Sequence, residues 1–152
     1  MGSESRMNYT MMGDTVNLAA RLESSAKQYG IYIQIAESTY QAIQDKIVVR
    51  ALDFVQVMGK EEPVKVFELI SEIGKEPEPY KKILPAFHEG IELYFNQDWD
   101  KAKEAFKASN DLEEMFPGRK TNPSRVYIAR CEHFKVNPPG DNWDGVWVHT
   151  SK

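Results

Sequence analysis

Cysteine is almost missing from these 152 residues: Cys131 stands alone, so no internal disulfide can form, which suits a reducing cytosolic setting. Histidine is nearly as scarce, and His88, His133 and His149 are too scattered to make a metal-ligand spacing. No run approaches the roughly 20 consecutive apolar residues of a membrane helix, and no basic-then-apolar leader pattern opens the chain. An excess of positive charge is lacking too. The formal net charge of -4 excludes the electrostatic footprint of a nucleic-acid binder.

What is there suits a folded protein. Hydrophobic residues make up 41% and charged residues 28%, enough for a core and a soluble surface, which excludes disorder and collagen-like repeats. A cut after residue 75 leaves 8 basic and 10 acidic residues before it and 11 and 13 after, so neither half is a charged tail. The cut is suggested by Gly74-Lys75-Glu76-Pro77-Glu78-Pro79, a linker-like run in which proline removes donors and biases its predecessors away from helix. Residues 1–75 and 76–152 are therefore expected to be two units.

In the first unit, Asn8–Gly13 is a short extended candidate. A helix capped by Asp14 or Thr15 should run through Asn17, Ala20, Leu22 and Ala26 and stop at Gly30. Ile31–Ile35 reads as a strand, and Glu37-Ser38-Thr39 as the cap of a short helix reaching Ile47. Val48–Met58 and Val64–Ile70 read as a hairpin closed by Gly59–Pro63. The order is β-α-β-α-β-β, an α/β sandwich layer that looks incomplete, within an α+β chain.

Asn17 and Arg21 are four apart and share one helical face, while Leu18, Leu22, Ala26 and Tyr29 form a stripe that can meet a core. Asparagine inside a helix costs about half a kcal/mol against alanine. The residues alone leave two readings open: a solvated polar face with Arg21 paired to Glu23 or Glu37, or a functional pair.

The string from Gly2 through Met12-Gly13-Asp14-Thr15-Val16-Asn17-Leu18-Ala19-Ala20-Arg21-Leu22-Glu23 resembles class III adenylate/guanylate cyclases. The resemblance continues through Ile31–Glu37, Tyr40, Arg50, Leu52, Val57, Gly59-Lys60 and Pro63–Leu69. It implies a partial cyclase fold of ferredoxin-like type and a reaction in which a ribose 3′-oxygen attacks the α-phosphate of ATP or GTP and pyrophosphate leaves. Negative charge builds on the phosphoryl oxygens, and fixed cations stabilise it. By the resemblance, Arg21 matches the arginine that meets this charge and Asn17 the asparagine that orients the ribose. Lys60 matches a lysine at the terminal phosphates, and Thr10 falls where the purine edge is contacted.

The departure is equally informative. The family holds two magnesium or manganese ions on two aspartates of upstream strands that have no counterpart here, and Asp14 matches only a capping position. Met1-Gly2 falls where relatives read Met-Gly internally, so the expectation is a C-terminal piece of a longer cytoplasmic protein that upstream segments could anchor to a membrane. No metal or other cofactor is expected in this chain, and the piece alone should lack turnover. The family's active sites lie at a homodimer interface, with metal ligands on one protomer and the asparagine and arginine on the other. A homodimer is thus implied, and missing central strands would expose an edge that favours self-association.

In residues 80–117, Gly90, Ala102 and Phe106 fit part of a tetratricopeptide template, with Leu93-Tyr94 at the large apolar positions and Asn96-Gln97-Asp98 as the turn. Pro117 is expected to close the second helix, and Ser124–Lys135 to form a third. Such a helical repeat-like subdomain could bind a protein partner. Trp143 and Trp147 are expected to bury against the helices rather than to bind sugar or calcium, and Cys131 to act as a small buried hydrophobe. Three functions follow in order of preference: the C-terminal portion of a bacterial class III nucleotidyl cyclase whose parent makes cyclic AMP from ATP, a non-catalytic dimerisation or protein-interaction module, and a standalone nucleotide binder using Arg21 and Lys60.

Overall fold

A computed structural model describes residues 26–56 and 62–147. In chain order it contains strand β1 (Gln34–Ala36), helix α1 (Glu37–Ile43), strands β2 (Ile47–Val55) and β3 (Val64–Glu72), and helices α2 (Tyr80–Phe95), α3 (Trp99–Leu112) and α4 (Pro123–Val136). The sheet is antiparallel with order β1-β3-β2, so the expected α+β class and the expected hairpin are both present. The Asn8–Gly13 strand and the start of the first helix lie outside the described residues.

The end of that first helix is described. Residues 26–29 are helical, and the turn closes with Gly30 N–H donating to Lys27 O and Ile31 N–H to Ala26 O. Gly30 sits at φ +77°, the left-handed backbone that lets glycine end a helix. A Cβ there would come 2.0 Å from the Thr121 carbonyl oxygen, so glycine also permits the loop before α4 to approach.

Several boundaries differ from the sequence expectation. The strand expected over Ile31–Ile35 is only Gln34–Ala36, because the Ile31 amide is used in the helix stop and its carbonyl accepts from Arg119 Nε at 2.9 Å. Helix α1 ends at Ile43 rather than Ile47, and it has no side-chain cap: Glu37 accepts instead from the Lys65 N–H at 3.1 Å. Strand β2 starts one residue early at Ile47 and ends at Val55, short of Met58. Helix α3 stops at Leu112, well before Pro117, because Glu113 turns extended and its carboxylate engages Arg50 and Ser124.

Two apolar clusters hold the molecule. One gathers Ala26, Tyr29, Ile31, Leu52 and Val66 under the sheet, with Phe116 and Val126 packed against it. The other lies among the helices: Phe87 and Tyr94 of α2, Ala102 and Phe106 of α3, and Tyr127, Cys131 and Phe134 of α4, with Trp99, Trp143 and Trp147 around them. Helices α2 and α3 approach closely at Gly90, where a Cβ would lie 2.7 Å from the Phe106 ring. Both tail tryptophans pack against Phe134 with ring centroids 5.2 Å away, as expected of indole rings that bury apolar area.

Candidate functional site

Between the two clusters sits a charged centre made by an irregularity in β2. The pairing steps from Ala51 opposite Phe67 to Asp53 opposite Val66, so Leu52 is an extra residue in the strand. Strict alternation would send Leu52 and Asp53 to opposite faces; the bulge lets both be buried. The Ala51 N–H, freed from the ladder, donates to His88 Nε2 of α2 at 3.1 Å. Burial, helped by the Arg50 charge, lowers the His88 pKa and keeps the ring a neutral acceptor.

The Asp53 carboxylate collects donors from three parts of the chain. Arg130 of α4 binds it in fork fashion, Nη1 to Oδ1 at 3.0 Å and Nη2 to Oδ2 at 2.9 Å. Tyr127, one turn earlier, donates to Oδ1 at 3.2 Å and to the Leu52 carbonyl at 2.7 Å. Tyr29, the last helical residue before Gly30, donates to Oδ2. The guanidinium lies over the Tyr127 and Trp147 rings at 4.8 and 5.0 Å. Burial opposes the Arg130 charge, but Asp53 together with Tyr127 and Tyr94 outweighs it, and the pKa of Arg130 is raised well above its usual value. Burial first and Asp53 second push the Tyr29 phenol pKa up, so its proton stays on oxygen.

A second charged group ties the hairpin to α3. Arg50 lies 3.0 Å from Glu68 Oε1 through Nε and 3.1 Å from Glu113 Oε2 through Nη1. The first contact is close without hydrogen-bond alignment, since Arg50 Nε and Glu68 Oε1 have no hydrogen-bond partner. Burial pushes the Glu68 carboxyl up to about 7, the Arg50 charge opposes this, and the neighbouring Glu113 charge adds to it.

An apolar cavity of about 310 Å³ lies beside the Asp53 centre, bounded by Ala51, Phe54, Phe67, Ile91 and Phe95, with Lys65 at its edge. Among the described residues, no three His, Cys, Asp or Glu side chains come close enough to hold a metal ion. The described residues therefore do not fit the metal pair that the cyclase resemblance implies. No helix among them is long and apolar enough to cross a membrane.

Thr10, Asn17, Arg21 and Lys60 lie outside the described residues. The described residues do include 26–29, the end of the helix expected from sequence to carry Asn17 and Arg21, and Val55 and Val64, which pair on either side of the segment that contains Lys60. Sequence reading passed over Asp53 and Arg130. A signal existed, since Asp53 is a lone acid inside the apolar run of β2, and Arg130 sits three residues after Tyr127 and beside Cys131 on the packed side of α4.

Residues 1–71 match the adenylate and guanylate cyclase catalytic domain. The matched segment therefore ends within β3, one residue before the hairpin does. An adenylate cyclase of Dictyostelium discoideum described as terminal-differentiation specific is 37% identical over 135 residues, 86% of this chain and 6% of that protein. An adenylate cyclase of Anabaena cylindrica is 38% identical over 72 residues, 45% of this chain and 14% of the relative. Adenylate cyclase 1 of Rhizobium meliloti is 31% identical over 70 residues, 46% of this chain and 10% of the relative. The chain thus spans a small fraction of each relative's length. A match over 86% of the chain necessarily runs past residue 71. No solved structure matches.

Proposed function

We propose that this chain supplies the charge-stabilising half of a nucleotidyl cyclase site, acting on ATP, in a dimer whose other half brings two magnesium or manganese ions. The observation that carries this reading is the match of residues 1–71 to the cyclase catalytic domain, with the Asn17–Arg21 spacing inside it. Arg21 would meet the charge that develops on the α-phosphoryl oxygens, a task suited to a planar and permanently charged fork. Asn17 would orient the ribose, Lys60 would bind the terminal phosphates and Thr10 would touch the purine edge. When bound, the metal ions would activate the attacking oxygen and steady the leaving one. The chain on its own would turn over neither ATP nor GTP, because the two aspartate-bearing strands that hold the family's metal ions have no counterpart in its sequence.

The test pairs the full chain with a polypeptide carrying the metal-binding aspartates of a cyclase, in the presence of ATP and manganese. Cyclic AMP should form only in the mixture, and Arg21→Ala should reduce it at least about a hundredfold, as loss of a transition-state donor does. Lys60→Ala should chiefly raise KM. A mixture that stays silent, or whose turnover ignores Arg21→Ala, would refute the reading and favour a non-catalytic dimerisation or protein-interaction module.

A further inference from the structure

We infer that the apolar cavity between the β2–β3 hairpin and α2 is a binding site for a small aromatic carboxylate, with Lys65 as the residue that receives its charge. The cavity lies where the segment matched by the cyclase family meets the helices beyond it, and its role does not depend on the triphosphate chemistry proposed above.

The walls follow from strand alternation. Lys65 and Phe67 are two apart in β3 and so share one face of the sheet, and Phe54 and Ala51 stand opposite them on β2. Ile91 and Phe95 of α2 close the other side, with the Phe95 ring edge-on to Phe54 at 6.1 Å between centroids. Ala51 carries only a methyl group among these rings, which leaves the space open. At about 310 Å³ the cavity is at the small end of ligand pockets, which run from about 300 to 1,000 Å³. Native interiors leave few voids larger than a water molecule, so this volume is no ordinary packing gap. Lys65 and Phe95 are the exposed residues of the wall, which puts the mouth between a cation and a ring.

The polar groups of the inner wall are already engaged. Asp53 is held by Arg130, Tyr29 and Tyr127, and the Tyr127 hydroxyl also donates to the Leu52 carbonyl. Lys65 differs from them. Its backbone N–H donates to Glu37 Oε1, but its Nζ has no ion pair or hydrogen bond among the described residues. The matching ligand is therefore apolar over most of its length with one anionic end. Three phenylalanine rings suit an aromatic body through offset and edge contacts. The lysine ammonium, on its flexible stem, can reach a carboxylate at the mouth. A triphosphate does not fit, because apolar walls leave its oxygens without donors. A ligand seated there would bridge the hairpin to α2 and stabilise the folded chain by mass action.

The experiment uses the full chain with naphthalene-2-carboxylate as probe, 2-naphthalenemethanol as its uncharged counterpart and octanoate as an aliphatic acid. Calorimetric titration should show saturable binding of the naphthalene acid, with Kd on the order of 10–100 µM, and thermal melts should show a raised Tm. The alcohol should bind roughly fivefold more weakly, a gap that closes in about 1 M salt as expected of an exposed charge. Lys65→Gln, at an exposed position, should bring the acid down to the level of the alcohol and leave the alcohol unchanged. Ala51→Leu should fill the cavity and abolish binding of both, with the Tm of the free chain at or above that of wild type. Lack of saturable binding below about 1 mM would overturn the assignment, as would equal affinity for acid and alcohol. So would octanoate binding as tightly as the naphthalene acid, or a Lys65→Gln variant that binds the acid like wild type. None of these readouts involves cyclase turnover, so failure here and failure of the cyclase reading are separate results.

Discussion

Arg130 and Asp53 are 77 residues apart in sequence yet meet in a two-point contact of 3.0 and 2.9 Å, both side chains almost wholly buried. The pair joins a bulged strand to the last helix. It also links the segment matched by the cyclase family to the helices beyond it.

Breaking that pair from either side strands a charge. Asp53→Asn should lower folding stability by about 3–5 kcal/mol, because the Arg130 guanidinium would remain buried without a counter-charge. Tyr127→Phe removes one donor and should cost about 1 kcal/mol. Urea denaturation of the two variants, read at constant slope, would give the ratio; equal and small effects would contradict the network.

Glu68 should impose a pH dependence on stability. Its folded pKa of about 7 lies above the ordinary 4.5, so the folded state binds the proton more tightly than the unfolded chain. The contribution is fully present below about 4.5 and is lost as pH rises through about 7. For a group this buried the loss is on the order of 3 kcal/mol. Glu68→Gln keeps the neutral form at every pH. The difference in Tm between wild type and Glu68→Gln should therefore widen in favour of the variant from pH 5 to pH 8.5.

Cys131 should serve as a reporter of unfolding. Burial pushes its thiol up to about 12, with the Glu132 charge adding to the shift, and its relative exposure is 1%. A thiol reagent at pH 7.5 should leave the folded chain unlabelled and modify it at the opening rate of α4. Rapid labelling under native conditions would show that α4 does not pack as described.

Gly30→Ala should be among the most damaging single-methyl additions. The new Cβ would meet a backbone oxygen at 2.0 Å, which cannot swing aside as a side chain can, and the φ of +77° is unfavourable to any L residue. The left-handed backbone alone costs roughly 1–2 kcal/mol, and the displaced Thr121 loop should add to it. Gly74→Ala shares a positive φ but has open space around the added Cβ, so it isolates the backbone share. Thermal melts of the two variants would give the difference.

Local pattern was enough to read three helices beyond residue 79, though not the early end of the second at Leu112, as well as the hairpin and the Gly30 stop, because each depends on neighbours within a few residues. The candidate site was legible only as text. Thr10, Asn17, Arg21 and Lys60 came from resemblance to a family, and residues 1–71 match the catalytic domain of that family. What sequence could not announce was the bulge at Leu52, since hydrophobic alternation carries no mark of one inserted residue. Nor could it announce the partner of Asp53. Periodicity states which face of an element is buried, but a buried charge is satisfied by whatever the folded chain brings opposite. Composition and spacing therefore settled the class of fold, whereas the meeting of Asp53, Tyr29 and Arg130 arose from long-range packing, where a carboxylate hidden from water must find its donors.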